Sequence, residues 1–395
     1  MAEKDKKCYC GREIYDDYNC IFHSRKLNKN ATLFQKELDE IFRDESLNIY
    51  DFSHFIFPGQ IYFPESINKV IVLNSAIFQE DLPFRPTSFQ QNAYFEWASF
   101  KGYANFGEKI FQKGAYFDGA VFERATRFYK SSFKDVVSFN SATFENILII
   151  NQAESNKIFS EKEVDFRGVK FLKPEKVIFR KVNLSKFRFL ETDLRKVEFV
   201  DVDWDMKTGR SRVYDAIELD PVTKKFDYPL IAQLYKRLRA NYEENLNYAQ
   251  AGDFHIGEME MYRKGKGEPI DRGITWLYKV LSNYGESYRR PLVWIALLLL
   301  LFPLLYMFAG ITPKIGGSQI QYYLDLSFKG ILPNLEKLKD FWSSFIYSLS
   351  VFSLIRERPY QTISDLGHFF TILESIFSPV LIAFFLLALR RRFKR

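Results

Sequence analysis

The chain has 395 residues, enough for two or three domains, and 17% of them are aromatic. Its three cysteines all precede residue 21, which excludes a disulfide framework. A net charge of +7 would admit a nucleic-acid partner, but much of the excess lies beside apolar segments near the C-terminus and points to a membrane.

No charged n-region and apolar h-region open the sequence, so no cleaved secretory signal is expected. The first motif is CYCGREIYDDYNCIFH, with Cys8, Cys10, Cys20 and His23. Two thiolates in C-x-C and a thiolate and imidazole in C-x2-H can close a tetrahedral Cys3His zinc site. Such a site would pin residues 1–25, a segment too short to own a core. Four protein ligands leave no open position for catalysis, so the expected zinc is structural. Over residues 26–50, Leu27, Leu33, Leu38, Ile41, Phe42 and Leu47 recur at helical spacing. A helix near 31–45 is expected to cap the open strand edges of the next domain.

That domain, 51–205, is organised by a phenylalanine beat. After first irregular coils over 54–78, bulky positions return at alternating steps of six and five: Phe78, Phe84, Phe89, Phe95, Phe100, Phe106, Phe111, Phe117, Phe122, Phe128, Phe133, Phe139 and Phe144. Two residues before most of them stands a small or β-branched residue, as at Ala93, Ala98, Ala115 and Thr126. Neither a helix nor a lone strand has this period. A four-sided coil does, each side presenting one phenylalanine and its companion to the bore, with coils stacked at about the 4.8 Å strand spacing. Beyond an irregular stretch near 145–163 the beat returns at Phe166 and Phe171. From Phe179 it settles to fives through Leu184, Phe189, Leu194, Phe199 and Trp204. The units VNLSK and TDLRK resemble the A(D/N)LXX unit of pentapeptide-repeat proteins. That resemblance implies a right-handed quadrilateral β-helix, and the N-terminal C…C…YCIFH segment is also similar to one found in that family. Some of its members mimic DNA by negative charge. Residues 61–150 carry nine acidic and nine basic residues, so no nucleic-acid role is expected here.

Residues 228–288 read as a helical linker. Ile231, Leu234, Tyr235, Leu238 and Tyr242 keep a three-four spacing, and a second antiparallel helix follows through Phe254 and Met261. Asp253, His255, Glu258 and Glu260 suggest a metal cluster but lack a second histidine ligand, so a solvated helix face is expected. The stretch 270–288 is amphipathic and suited to a membrane surface.

The last domain, 289–395, is a membrane module. Spans are expected at 292–311 and 369–389, and 340–355 is apolar but too short to cross. Arg289 and Arg290 before the first span and the RRRFKR tail after the second place both termini in the cytoplasm, where the thiols stay reduced. The order span, short helix, span is similar to the two-helix potassium-channel module, and fusions of pentapeptide repeats to that module occur in bacteria. The resemblance implies a multi-pass protein of the bacterial inner membrane, a re-entrant pore helix and a homo-oligomer, most simply a tetramer. Where a T-x-G-Y-G-D filter would stand, the chain reads SVFSLIRERPYQ, without a glycine to turn carbonyls toward an axis. The pore candidates are therefore Ser350, Phe352, Ser353, Leu354, Ile355, Arg356, Glu357, Arg358 and, in the second span, Glu374. The expected function is a pore that is not potassium-selective by the usual filter, with the solenoid as a sensing or docking arm for a cytosolic protein partner. The alternative is a scaffold tethered to the bilayer by the hairpin. No constellation for catalysis stands out, so the chain is not expected to be an enzyme.

Overall fold

The computed structural model describes residues 7–16, 18–26, 28–59, 61–81, 88–152, 158–160, 162–316, 318–320 and 335–393, with 335–338 and 392–393 as backbone only. It divides into two compact units, Met1–Gly265 and Lys266–Arg395.

The first unit is a β-solenoid. Short strands, most of them two residues long, join four parallel sheets of seven, four, six and five strands. Pairing places Phe78 beside Phe100, Phe100 beside Phe122 and Phe122 beside Phe144, so one coil takes 22 residues. The rings stack face to face with centroids 4.8, 4.8 and 4.6 Å apart. A second column, Phe95, Phe117 and Phe139, stacks at 4.7 and 4.9 Å. Ala93, Ala98, Ala115, Ala120 and Thr126 are buried between the rings, because a larger companion would leave no room in so narrow a bore.

The corners explain why the strands are short. Ser75, Trp97, Gly119, Ser141 and Gly168 occupy one corner of successive coils, and all have φ between 56 and 66°. A left-handed residue at each coil turns the chain where a strand would continue. Gly119 is required twice over: besides its φ of 66°, a Cβ there would come within 2.6 Å of the Trp97 ring. The stretch near 145–163 still holds a rung, since Leu148–Asn151 pairs with Thr126–Tyr129 on one side and Val177–Arg180 on the other. Its extra residues lengthen that coil, so that Phe144 lies beside Phe171.

Helices close both ends. Helix α1, Ala31–Arg43, starts at the N-cap Asn30 and buries Phe34 and Leu38. Phe34 packs edge-on to Phe22 and Phe57. At the other end stand α2, Tyr228–Glu244, and α3, Tyr248–Gly265. The Asn241 amide donates to the carbonyls of Leu194 and Val197 at 2.8 and 2.7 Å, and Arg237 donates to that of Thr192 at 2.9 Å. Phe199 stacks on Tyr242, and the Trp204 indole donates to the Tyr242 hydroxyl at 2.9 Å. These helices satisfy the last coil's carbonyls and continue its apolar core, which is why they belong to the solenoid unit rather than to a linker running to 288.

The second unit contains α4, Pro269–Ser282, α5, Arg289–Ala309, α6, Leu335–Phe352, and α7, Asp365–Phe393. Helices α5 and α7 are long and apolar enough to cross a membrane, with mean hydropathies of 2.6 and 2.3. Pro303 and Pro379 lie inside them. Gly310, at φ 87°, ends α5 two residues before the expected boundary. Ile311–Pro313 is then a strand, paired antiparallel with Tyr360–Thr362 just before α7. Helix α6 covers 335–352 rather than 340–355, because Leu354 takes the left-handed φ of 54° that stops a helix. The core of this unit gathers Leu298, Phe302 and Tyr306 of α5, Tyr347 and Val351 of α6, and Leu381 of α7.

Candidate functional site

Two polar clusters stand out among the described residues. The first is the N-terminal thiol group. Two backbone turns present the ligands: the Gly11 amide bonds the Cys8 carbonyl at 2.7 Å, and the His23 and Ser24 amides bond that of Cys20 at 3.1 and 2.9 Å. Gly11, at φ 83°, closes the first turn. The ligand atoms of Cys8, Cys10, Cys20 and His23 all lie within 4.8 Å of one another. The Cys10 and Cys20 sulfurs are 3.5 Å apart, and His23 Nδ1 lies 3.2 Å from Cys20 and 3.6 Å from Cys8. A tetrahedral zinc with Zn–S bonds near 2.3 Å needs ligand edges of roughly 3.5 to 3.8 Å, so the donor set fits a metal ion.

Electrostatics agree with that chemistry. Burial, then the Arg12 charge, lowers the His23 pKa and keeps the ring neutral, as a ligand must be. Burial works against a thiolate at Cys8 but is outweighed by hydrogen bonds, led by the backbone amides of Cys10 and Cys20, and the net shift is downward. Burial pushes Cys20 up to about 12. A thiol so hard to ionise in a buried pocket needs a cation to hold it as thiolate. Lys29, which donates to the carbonyls of Ile21 and Ile56 at 3.0 and 2.5 Å, ties the cluster to the first coil. Nothing in the sequence spacing singles out Lys29; its burial is a tertiary fact.

The second cluster is in the second unit. Glu374 of α7 is fully buried. Its carboxylate accepts from the Tyr306 hydroxyl of α5 at 2.7 Å and from the Ser348 hydroxyl of α6 at 2.5 Å. One turn away the Tyr347 and Thr371 hydroxyls meet at 3.1 Å, and Tyr306 packs edge-on against Tyr347 at 4.8 Å. Tyr306, Ser348, Tyr347 and Thr371 escaped the sequence reading, although a tyrosine deep in an apolar span was a usable signal.

The other pore candidates are not drawn into this cluster. Ser350 is buried and donates to the Tyr347 carbonyl at 2.6 Å. Phe352 is half-buried against the helix core. Ser353, Leu354, Ile355, Arg356 and Glu357 are exposed and Arg358 half-exposed in the stretch after α6. The group around His255 also differs from the solvated face expected of it. His255, Glu258 and Glu260 are buried, and Arg239 of α2 lies 2.9 Å from His255 Nδ1 and 3.1 Å from Glu258. An arginine occupies the place a cation would take.

Among known proteins, an uncharacterized protein of Methanocaldococcus jannaschii is 27% identical to the chain over 179 residues, 40% of this chain and 35% of that protein. The chain thus spans about a third of the length of the curated relative it matches. No family model matches it. No solved structure matches it. The solenoid, the two candidate spans and the metal-competent cluster therefore stand on their own geometry: a repeat protein with two helices long and apolar enough to cross a membrane.

Proposed function

We propose that the chain is a pentapeptide-repeat protein whose C-terminal unit forms a pore module of the two-span, re-entrant-helix type in the cytoplasmic membrane. The observation that carries the reading is the way α6 lies against both spans. Ser348, in the last turns of α6, meets Glu374, nine residues into α7 and so about 14 Å along it. The pairing of Ile311–Pro313 with Tyr360–Thr362 brings the end of α5 and the start of α7 to one level. A short helix between the two spans, with a connection that returns to that level, supports a re-entrant element, which a bilayer tolerates where protein surrounds it. Several copies would be needed to enclose a path. The missing glycines argue against a filter of stacked carbonyls, and Arg356 to Arg358 would place charge at the mouth. The solenoid, a right-handed quadrilateral β-helix on this reading, is the cytosolic arm, and zinc held by Cys8, Cys10, Cys20 and His23 clamps its N-terminus.

The second reading, a membrane-tethered scaffold, has one observation in its favour. Both carboxylate oxygens of Glu374 are taken up by hydroxyls of the same chain, so its charge serves packing as well as it could serve conduction. Flux through liposomes of purified protein, comparing potassium, sodium and chloride, separates the two. Weakly selective flux altered by Arg356→Ala and Glu374→Gln is expected. Strong potassium selectivity would refute the filter argument, and no flux in any condition would leave the scaffold.

A further inference from the structure

We propose that the cleft between α4, α5 and α7 binds a phospholipid, one acyl chain lying in the cleft and an anionic headgroup on Arg290. The proposal rests on the reading of α5 and α7 as membrane spans. The cleft has a volume of about 340 Å³. Its walls are Trp276 and Val280 of α4, Trp294 and Leu298 of α5, and Phe377 and Leu381 of α7, and its lining is almost wholly apolar. On α4, Ile270, Ile274 and Leu277 form a stripe at helical spacing that stays 75, 63 and 47% exposed. An amphipathic helix with such a stripe lies in the interfacial plane of a bilayer, its apolar side among acyl chains.

Charge defines one end of the cleft. Arg290 precedes Trp294 by four residues and so shares its face of α5, one turn nearer the N-terminus. The Arg290 guanidinium donates to the Lys279 carbonyl at 2.8 Å, and the Trp294 indole donates to that of Val280 at 3.4 Å. Both side chains are thus held on the last carbonyls of α4, at the mouth of the cleft. Arg290 remains exposed there. A guanidinium has five donors, and the fork suits a phosphate. An apolar slot ending in an exposed arginine complements an amphiphile with one anionic head. A zwitterionic head brings its own cation to the same place and is disfavoured. Basic sites between helices on the cytoplasmic side of a bilayer recognise anionic headgroups by the same chemistry.

The full chain, purified in mild detergent and mixed with phosphatidylglycerol or phosphatidylcholine of identical acyl chains, tests this by native mass spectrometry. Phosphatidylglycerol is expected to be retained at least tenfold more, and soluble glycerol phosphate is expected not to displace it. Arg290→Gln should bring the two lipids level, whereas Leu298→Trp, which fills the slot, should reduce retention of both. Arg356→Gln, in the stretch after α6, should change neither. Equal retention by the unaltered chain, or a preference that survives Arg290→Gln, overturns the proposal. So does a stable dimer that excludes lipid, which would mean that a second chain fills the cleft. Resistance of the chain to carbonate extraction from membranes is read separately: release would refute the spans, while retention without lipid preference would refute this site alone.

Discussion

At the residue scale, the N-terminal thiol–histidine cluster and one buried acid make the sharpest commitments. Purified, reduced protein is expected to carry about one zinc per chain by metal analysis, and Cys20→Ser should lose it. A preparation without metal would reject the site. The acid is Asp215, 2% exposed, whose carboxylate accepts from the Phe189 amide at 2.8 Å. Burial raises its pKa from 3.8 to about 7, against the pull of the Phe189 amide and Arg188. A carboxyl whose folded pKa lies above the unfolded one binds its proton better in the fold. Its stabilisation is complete below pH 4 and is lost as pH rises to about 7, a change of at most about 4 kcal/mol. Asp215→Asn keeps the carbonyl acceptor without the charge. Between pH 5 and 7.5 the stability of the original chain should therefore fall relative to that of Asp215→Asn, measured by urea unfolding at each pH. Parallel pH dependences would show that Asp215 stays ionised.

At the scale of the element, each coil is one ring thick, so the solenoid cannot repack around a missing ring. Phe117 is fully buried and stacks on Phe95 and Phe139, with Phe106 edge-on at 5.3 Å. Phe117→Ala should cost about 3 to 5 kcal/mol, the sum of lost transfer energy and a cavity. Lys113→Ala, an outward position, should stay within about 0.5 kcal/mol. Equal melting temperatures would contradict the register. The helices at the two ends obey a related constraint. A terminal coil exposes carbonyls and apolar rings together, and α2 covers both with Asn241 and Tyr242.

For the whole molecule, the two units meet different physical demands. The solenoid satisfies its backbone from coil to coil. The second unit pairs its backbone within helices and a two-stranded sheet, and the buried carboxylate of Glu374 with hydroxyls. If the second unit lines a pore, it must assemble. Size-exclusion chromatography with light scattering in detergent should then give several chains per particle, most simply four, and a monomer would favour the anchor.

The sequence by itself determined the solenoid, the grouping of the four N-terminal donors that could hold a metal and the two candidate spans. The signals were local: a ring every five or six residues, three thiols and a histidine within sixteen residues, and two long apolar runs. Period, spacing and length act along the chain, so they can be read along it. Tertiary structure alone decided what long-range contacts control. That α2 and α3 close the coil rather than link it depends on Asn241 reaching Leu194 and Val197, more than forty residues away in sequence. That Glu374 is sealed depends on Tyr306 and Ser348 arriving from two other helices. Burial of Asp215, His255 and Lys29 has the same origin. A polar residue carries no mark of the partner that will face it, because that partner is chosen by packing between distant segments.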